Sequence, residues 1–289
     1  MDKRRILIQL DSDAHPSAFD RVVAADAGAE LIFSYGGVKP EQVRDLVHGA
    51  IFTRGPKDLK NTALFIGGSD VVAGEILLAE ALRHMIPQYG LRVSVLLDAS
   101  GANTTAAAAV RAAARHLDLK AATALVLGGT GPVGQRVALL LARQGAAVCV
   151  GSRQQTRAAS VCENLRRRIP DVKAEPAGVT DAASLDAALS ERTLVVAAGA
   201  AGVVLLPLAA RKACPTLKVA IDLNAVPPLG VEGTEVSDKG TERDGVVCYG
   251  AIGVGDMKMK IHKAAVARLF ESNDQVLDAE QVYAIAERL

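Results

Sequence analysis

The stretch Val126-Leu-Gly-Gly-Thr-Gly-Pro-Val-Gly134 decides the fold. Gly129, Gly131 and Gly134 spell G-x-G-x-x-G between an apolar run, Ala124–Leu127, and an amphipathic segment, Pro132–Gln144. Such a fingerprint carries weight only where a strand enters it and a helix leaves it, which is the context here. Gly129 is assigned the tight turn, Gly131 the bare backbone that a pyrophosphate can approach, and Gly134 the close packing of helix on strand. The helix N-terminus brings unpaired N–H groups and a partial positive charge to the phosphates. Pro132 costs nothing at the first helical position, where its missing N–H has no partner anyway. Thr130 and Val133 complete the expected phosphate turn.

Outward from this turn, continuous apolar runs alternate with amphipathic ones. Upstream, strands are expected at Ile6–Leu10, Leu31–Ser34, Ala63–Ile66 and Val93–Leu97, with helices at Pro16–Ala27, Pro40–His48, Asp70–Met85 and Asn103–Leu117. Downstream, strands at Ala147–Val150, Val172–Ala174, Leu194–Ala198 and Val219–Leu223 alternate with helices at Gln155–Arg168, Ala182–Leu189 and Val204–Ala213. Apolar strands separated by helices imply parallel sheets covered on both faces. The expectation is an α/β protein of two domains. Residues 1–121 form an α/β substrate domain, completed by C-terminal helices in 262–289, and residues 122–261 form a Rossmann-type dinucleotide domain. A polar loop is expected up to about Val246.

The second strand of the dinucleotide domain selects the nucleotide. An NAD-binding domain usually places Asp or Glu there for the ribose 2′-hydroxyl. This strand instead ends Gly151-Ser152-Arg153. The guanidinium of Arg153 can pair with a 2′-phosphate through its planar fork, with Ser152 donating a further hydrogen bond. NADP is therefore expected, with NAD as the weaker alternative. Arg157, one turn later, can help there, and otherwise reads as a merely exposed charge. Ala198, Gly199 and Asn224, at the ends of later strands, are the remaining cofactor candidates, because ligands of open parallel sheets bind beyond the carboxyl ends of the strands.

Composition narrows the function. In 289 residues, 50% hydrophobic and 22% charged content gives a sizeable core and excludes disorder. Lys plus Arg number 33 and Asp plus Glu 32, so a net charge of +1 gives no drive toward nucleic acid or acidic membranes. Aromatics at 3% with no Trp argue against base-stacking platforms. The apolar run at the N-terminus is too short for a signal peptide, and none of the uncharged stretches makes a membrane span. Cys149, Cys162, Cys214 and Cys248 lack CxxC spacing, so neither a metal site nor a disulfide framework is expected, and reduced cytoplasmic thiols are.

Polar residues also gather after the upstream strands: Asp11, Asp13, His15 and Ser17; Ser69 and Asp70; Asp98, Ser100, Asn103 and Thr104. Asp70 and Asn103 stand equally at good helix-capping positions. Near the C-terminus, Asp256-Met-Lys-Met-Lys-Ile-His262 alternates apolar and basic residues. If extended, it puts Lys258, Lys260 and His262 on one face. The Gly-rich run Gly250-Ala-Ile-Gly-Val-Gly255 before it suggests close backbone approach to a ligand.

Taken together and in order, Pro16-Ser-Ala-Phe-Asp20, Tyr35-Gly36, Thr53-Arg-Gly55, Gly101-Ala-Asn-Thr-Thr-Ala-Ala-Ala108, Gly129-Thr-Gly-Pro-Val-Gly134, Asn224-Ala-Val-Pro-Pro-Leu-Gly230, Asp238-Lys-Gly240 and Leu269-Phe-Glu-Ser272 carry a resemblance over the whole chain. The chain resembles the bacterial NADP-dependent methylenetetrahydromethanopterin dehydrogenases of one-carbon metabolism. The resemblance implies a cleft between two domains and a homo-oligomer, a trimer or a multiple of one, built through the non-nucleotide domain. It implies hydride transfer from a methylene-pterin carrier to NADP, with methylenetetrahydrofolate accepted by some members. It places Lys258 in the active site, and Asp20, Asn103 and Thr104 become candidates for substrate contact. A carboxylate such as Asp20 or Asp98 suits the guanidine-like edge of a pterin. The competing readings are another NADP oxidoreductase, of methylenetetrahydrofolate or shikimate type, and a dinucleotide sensor that binds without turnover.

Overall fold

The computed structural model describes residues 3–289. The first half begins with β1 (Ile6–Asp11), α1 (Ala18–Asp26), β2 (Leu31–Tyr35), α2 (Pro40–Ile51), β3 (Thr62–Gly67), α3 (Val71–Arg83), β4 (Ser94–Leu97) and α4 (Ala102–Ala114). Then follow β5 (Thr123–Leu127), α5 (Pro132–Arg143), β6 (Ala147–Ser152), α6 (Gln155–Arg168), β7 (Ala174–Gly178), α7 (Ala182–Leu189), β8 (Leu194–Ala197), α8 (Leu208–Ala213), β9 (Val219–Asp222), β10 (Lys239–Arg243) and β11 (Val246–Tyr249). The chain closes with α9 (Ala251–Arg268), β12 (Val276–Leu277) and α10 (Ala279–Ala286). It divides into two compact units, one of described residues up to Thr104 with Met259–Leu289, the other Thr105–Lys258, so the division falls inside α4 and α9.

The first unit holds a five-stranded sheet in the order β12-β4-β3-β1-β2, parallel throughout. Its central strands read as unbroken apolar runs because both faces are covered: every residue of β3 is buried. The second unit holds seven strands in the order β10-β11-β9-β8-β5-β6-β7, of which only β10 runs antiparallel. Leu125, Leu127, Val195, Leu206, Leu217 and Val231 knit one face of it into a core. In each sheet the strand order reverses once, between β1 and β3 and between β5 and β8. Such a reversal opens a crevice at the carboxyl ends of the strands.

Several expectations need correction. The supposed polar loop before Val246 contains β10, which pairs with β11 in a hairpin. The helix expected from Val204 begins only at Leu208, after Pro207 as its cap. The segment 256–260 is helical, not extended, since it lies in the middle of α9. Gly250 and Gly253 do permit a close approach, but to the chain itself. A Cβ on Gly250 would lie 2.0 Å from the Glu235 carbonyl oxygen, and one on Gly253 1.9 Å from that of Asp238.

Capping was half anticipated. Asp70 caps α3, accepting from the Val72 and Ala73 amides at 2.8 and 3.1 Å. Asn103 caps nothing; it lies inside α4, and Asp98 does the work. Asp98 Oδ1 accepts from the Asn103 and Thr104 amides at 2.9 and 3.0 Å, and Oδ2 accepts from Thr104 Oγ1 at 2.6 Å. With Asp98 1% exposed, water cannot replace these bonds. Asp98→Ala strips a cap and leaves buried donors unpaired, for a loss of about 2–4 kcal/mol. Chemical denaturation should show that loss, whereas Asp98→Asn, keeping one acceptor, should lose less.

Candidate functional site

The turn between β5 and α5 is built from glycines with different tasks. Gly128 carries the left-handed backbone, φ +71°, one residue earlier than the expected Gly129. A Cβ on Gly128 would also lie 2.5 Å from the Cα of Gly199, so the turns after β5 and β8 meet backbone to backbone. Gly129 is bare for packing: its Cβ would stand 2.8 Å from Val150 Cγ1, and its amide donates to the Gly151 carbonyl at 3.0 Å. Gly134 has no room either, at 2.5 Å from the Gly128 oxygen, which seats α5 on the turn. Gly131 differs. It caps α5 with φ −76° and ψ 169°, and its nearest would-be contacts are 3.4 and 3.7 Å away. Its missing side chain leaves space in front of the helix N-terminus, and Pro132 is the first helical residue.

A cavity of about 790 Å³ opens at this point, over the carboxyl ends of β5, β6 and β8. Of the expected cofactor residues, Thr130, Gly131, Pro132, Ser152, Arg153, Ala198 and Gly199 line it. Gly129, Val133 and Gly134 shape the turn without lining it. Asn224 does not line it either. Its Nδ2 donates to the Val226 and Pro228 carbonyls and its Oδ1 accepts from the Val226 amide, so the side chain is engaged in folding its own loop. Arg157 is exposed and lines the cavity with Arg153, as the helping alternative has it. The signal for it is that α6 begins at Gln155, directly after β6, so its first turn stands beside the strand end that carries Arg153. Val179, Val203 and Leu205 add an apolar wall that the sequence did not single out.

The wall is electrostatically one-sided. Among the described residues no acidic one lines the cavity, and two guanidinium groups and a helix N-terminus do. Ser152 Oγ sits 3.5 Å from Thr130 Oγ1 and accepts from the Gln154 amide at 3.2 Å, which fixes the hydroxyl beside Arg153. Bare backbone at Gly131, free space before α5, and Arg153 after β6 with Arg157 in α6 fit the phosphates of a dinucleotide, including one on the 2′-oxygen.

The remaining expected site residues divide. In the first unit, Asp20 stands in the first turn of α1, with its amide donating to Ser17 Oγ. Its Oδ1 lies 4.0 Å from Nε2 of His262, which is fully buried and stacked on Phe65 at 5.7 Å between ring centres and 16° between planes. Sequence distance hid this pairing. Asp98, Asn103 and Thr104 are buried in the α4 cap, and Asn103 Nδ2 donates to the Leu97 carbonyl and Asp278 Oδ1. They form internal structure and present no exposed edge. Asp11 and Asp13 likewise hold loops: Asp11 accepts from the Asp13 and Ser17 amides, and Asp13 from the Ser69 amide and hydroxyl. In α9, Lys258 is half-buried and Lys260 exposed. Two residues of helix turn them about 200° apart, so they share no face; Lys258 aligns with His262 instead. Among the described residues no group of His, Cys, Asp or Glu could hold a metal ion.

Fold and cavity define a dinucleotide-binding chain of the two-unit dehydrogenase class. Among solved structures, the shikimate 5-dehydrogenase of Listeria monocytogenes in complex with shikimate and NAD has a TM-score of 0.56 at 15% identity, over 99% of this chain and 96% of that one. The quinate dehydrogenase of Corynebacterium glutamicum in complex with NAD has a TM-score of 0.51 at 16%, over 99% and 100%. Those likenesses concern the fold alone. The family described as methylene-tetrahydromethanopterin dehydrogenase, N-terminal, matches residues 18–100, and the saccharopine dehydrogenase NADP binding domain matches residues 124–221. The bifunctional protein MdtA of Methylorubrum extorquens is 41% identical over 288 residues, 99% of each chain. The NAD(P)-dependent methylenetetrahydromethanopterin dehydrogenase of that organism is 32% identical over 294 residues, 98% of each. The chain belongs to the methylenetetrahydromethanopterin dehydrogenase family.

The glycines can be separated by experiment. Gly131→Ala keeps an allowed backbone and meets only ordinary contacts, so thermal unfolding should stay close to wild type while the Kd for NADPH rises about tenfold or more. Gly134→Ala should lower both stability and binding, because its methyl must displace backbone.

Proposed function

We propose that the chain oxidises a methylene-pterin carrier, methylenetetrahydromethanopterin first, to its methenyl form with NADP as hydride acceptor. What carries the coenzyme choice is the end of β6 and the first turn of α6: Ser152 and Arg153, with Arg157, line the cavity where an NAD-binding strand would present an acid. The substrate class is supported by family membership and by the name of the dehydrogenase relative. Bound NADP supplies the hydride-accepting nicotinamide ring. The donor carbon, between two nitrogens, loses hydride to leave a cation that both nitrogens share, and no proton departs. The protein then needs no general base for that step. Its residues hold, orient and keep water away, which agrees with a cavity wall that carries no acid–base pair.

Lys258 is our candidate for substrate orientation, on the strength of the family resemblance and its half-buried place in α9. A fixed cation next to a forming cation opposes oxidation, so its task is placing the carrier or tuning its charge rather than attracting the reacting carbon. Asp20 is the carboxylate best suited to a guanidine-like pterin edge, since Asp98 is engaged in capping. The same reading includes a homo-oligomer assembled through the first unit, which leaves Val72, Ile76 and Leu82 of α3 exposed. It also includes a cytoplasmic setting, supported by four free, buried cysteines and by the absence, among the described residues, of a helix long and apolar enough to cross a membrane.

Steady-state assays with NADP and either methylenetetrahydromethanopterin or methylenetetrahydrofolate test the reading; turnover of neither rejects it in favour of a sensor. Arg153→Glu should cost NADP about 2–3 kcal/mol, roughly 30- to 150-fold in kcat/KM, and leave NAD within about threefold. Equal losses would remove the 2′-phosphate role. Lys258→Ala should lower kcat with the Kd for NADPH intact, and wild-type turnover would take Lys258 out of the site.

A further inference from the structure

We propose that Asp222, which does not line the cavity, is a positioning residue for the coenzyme site, acting through the loop it clamps. The proposal rests on the coenzyme reading above and extends it to a residue outside the cavity. Asp222 ends β9 and is fully buried. Its Oδ1 accepts from the Asn224 amide and its Oδ2 from the Val231 amide, each at 2.9 Å. One carboxylate thus holds both ends of the loop 223–231. Gly230 must be bare for this, since a Cβ there would lie 2.8 Å from Asp222 Oδ1. Within the loop, the Asn224 side chain ties down Val226 and Pro228, so the loop is braced from inside as well.

The clamped loop reaches the cavity through backbone. The Gly230 carbonyl accepts from the Leu205 and Leu206 amides at 2.8 and 2.9 Å, and Leu206 forms a parallel bridge with Val231. Leu205 lines the cavity, and its Cδ1 fills the place of a Gly199 side chain, 2.6 Å from where that Cβ would be. Gly199 in turn abuts Gly128. The path from Asp222 to the phosphate turn therefore runs loop, Leu205, Gly199, Gly128, each link a close contact. Burial pushes the Asp222 carboxyl above the usual carboxylate range, opposed by the amides of Val231, Asn224 and Gly230. Those amides are all donors, so the site asks for an acceptor at both oxygens. An amide side chain would turn its NH₂ toward one of them.

NADPH binding to the full chain, followed by its fluorescence, and steady-state kinetics test this. Asp222→Asn should raise the Kd for NADPH and the KM for NADP at least about fivefold, while kcat at saturating NADP and the KM for the pterin stay within about twofold. Gly230→Ala, which presses a methyl on the same carboxylate, should do likewise and decides the matter should Asp222→Asn not fold. Val246→Ala, a core truncation in the same unit, serves as the stability control and should lower the unfolding midpoint without moving Kd. A folded Asp222→Asn protein with wild-type Kd, or a Val246→Ala protein that loses as much affinity, overturns the positioning role alone. A wild-type chain that fails to bind NADPH overturns the coenzyme reading and this role with it.

Discussion

The contact on which the dinucleotide-binding half depends is between two stretches of bare backbone. Gly128 and Gly199 approach so closely that a side chain on either would displace the other turn or Leu205. Where two turns touch in this way at a strand-order reversal, the crevice beyond them keeps bare backbone at Gly128, Gly131 and Gly199 among its lining, beside the side chains of Ser152 and Arg153. That suits a phosphate chain, which needs close donors and no steric guard. It also explains why seven of the expected cofactor residues line one cavity although they come from three different strand ends.

In the first unit the same topology is used differently. The strand-end carboxylates Asp11, Asp13 and Asp98 are engaged in backbone hydrogen bonds that hold loops and start a helix. Polar residues clustered after strands suit a binding site in sequence, but Asp11 and Asp98 are buried and each accepts two amide bonds, and the half-buried Asp13 is held by the Ser69 amide and hydroxyl, so all three are structural members. Asp20 and His262 escape that pattern, because their neighbour relation needs β3, α1 and α9 to be in place before it exists.

Some elements were hard to read for specific reasons. β12 is two residues long and is a strand only because β4 accepts it as a partner. β10 carries Lys239, Glu242 and Arg243 on an edge, with no apolar alternation to announce it. Four residues of alternating Met and Lys in α9 satisfy a period of two as well as a helix does. The glycines before them looked like a ligand loop, whereas they let α9 pass against the backbone at 235–238. Local pattern cannot tell an approach by a ligand from an approach by the chain itself.

By itself the sequence determined the alternation of strands and helices, the parallel sheets, the phosphate turn and the basic end of β6. These depend on local periodicity, on the steric smallness of glycine and on charge type, which are properties of short segments. The folded arrangement settled which glycine bears the left-handed backbone, that Arg157 lines the cavity beside Arg153, that Asp98 is a cap, and that Asp222 holds a loop against Leu205. Those are relations between side chains far apart in sequence, and they acquire energy only when folding brings the partners within a few ångströms and removes the water between them.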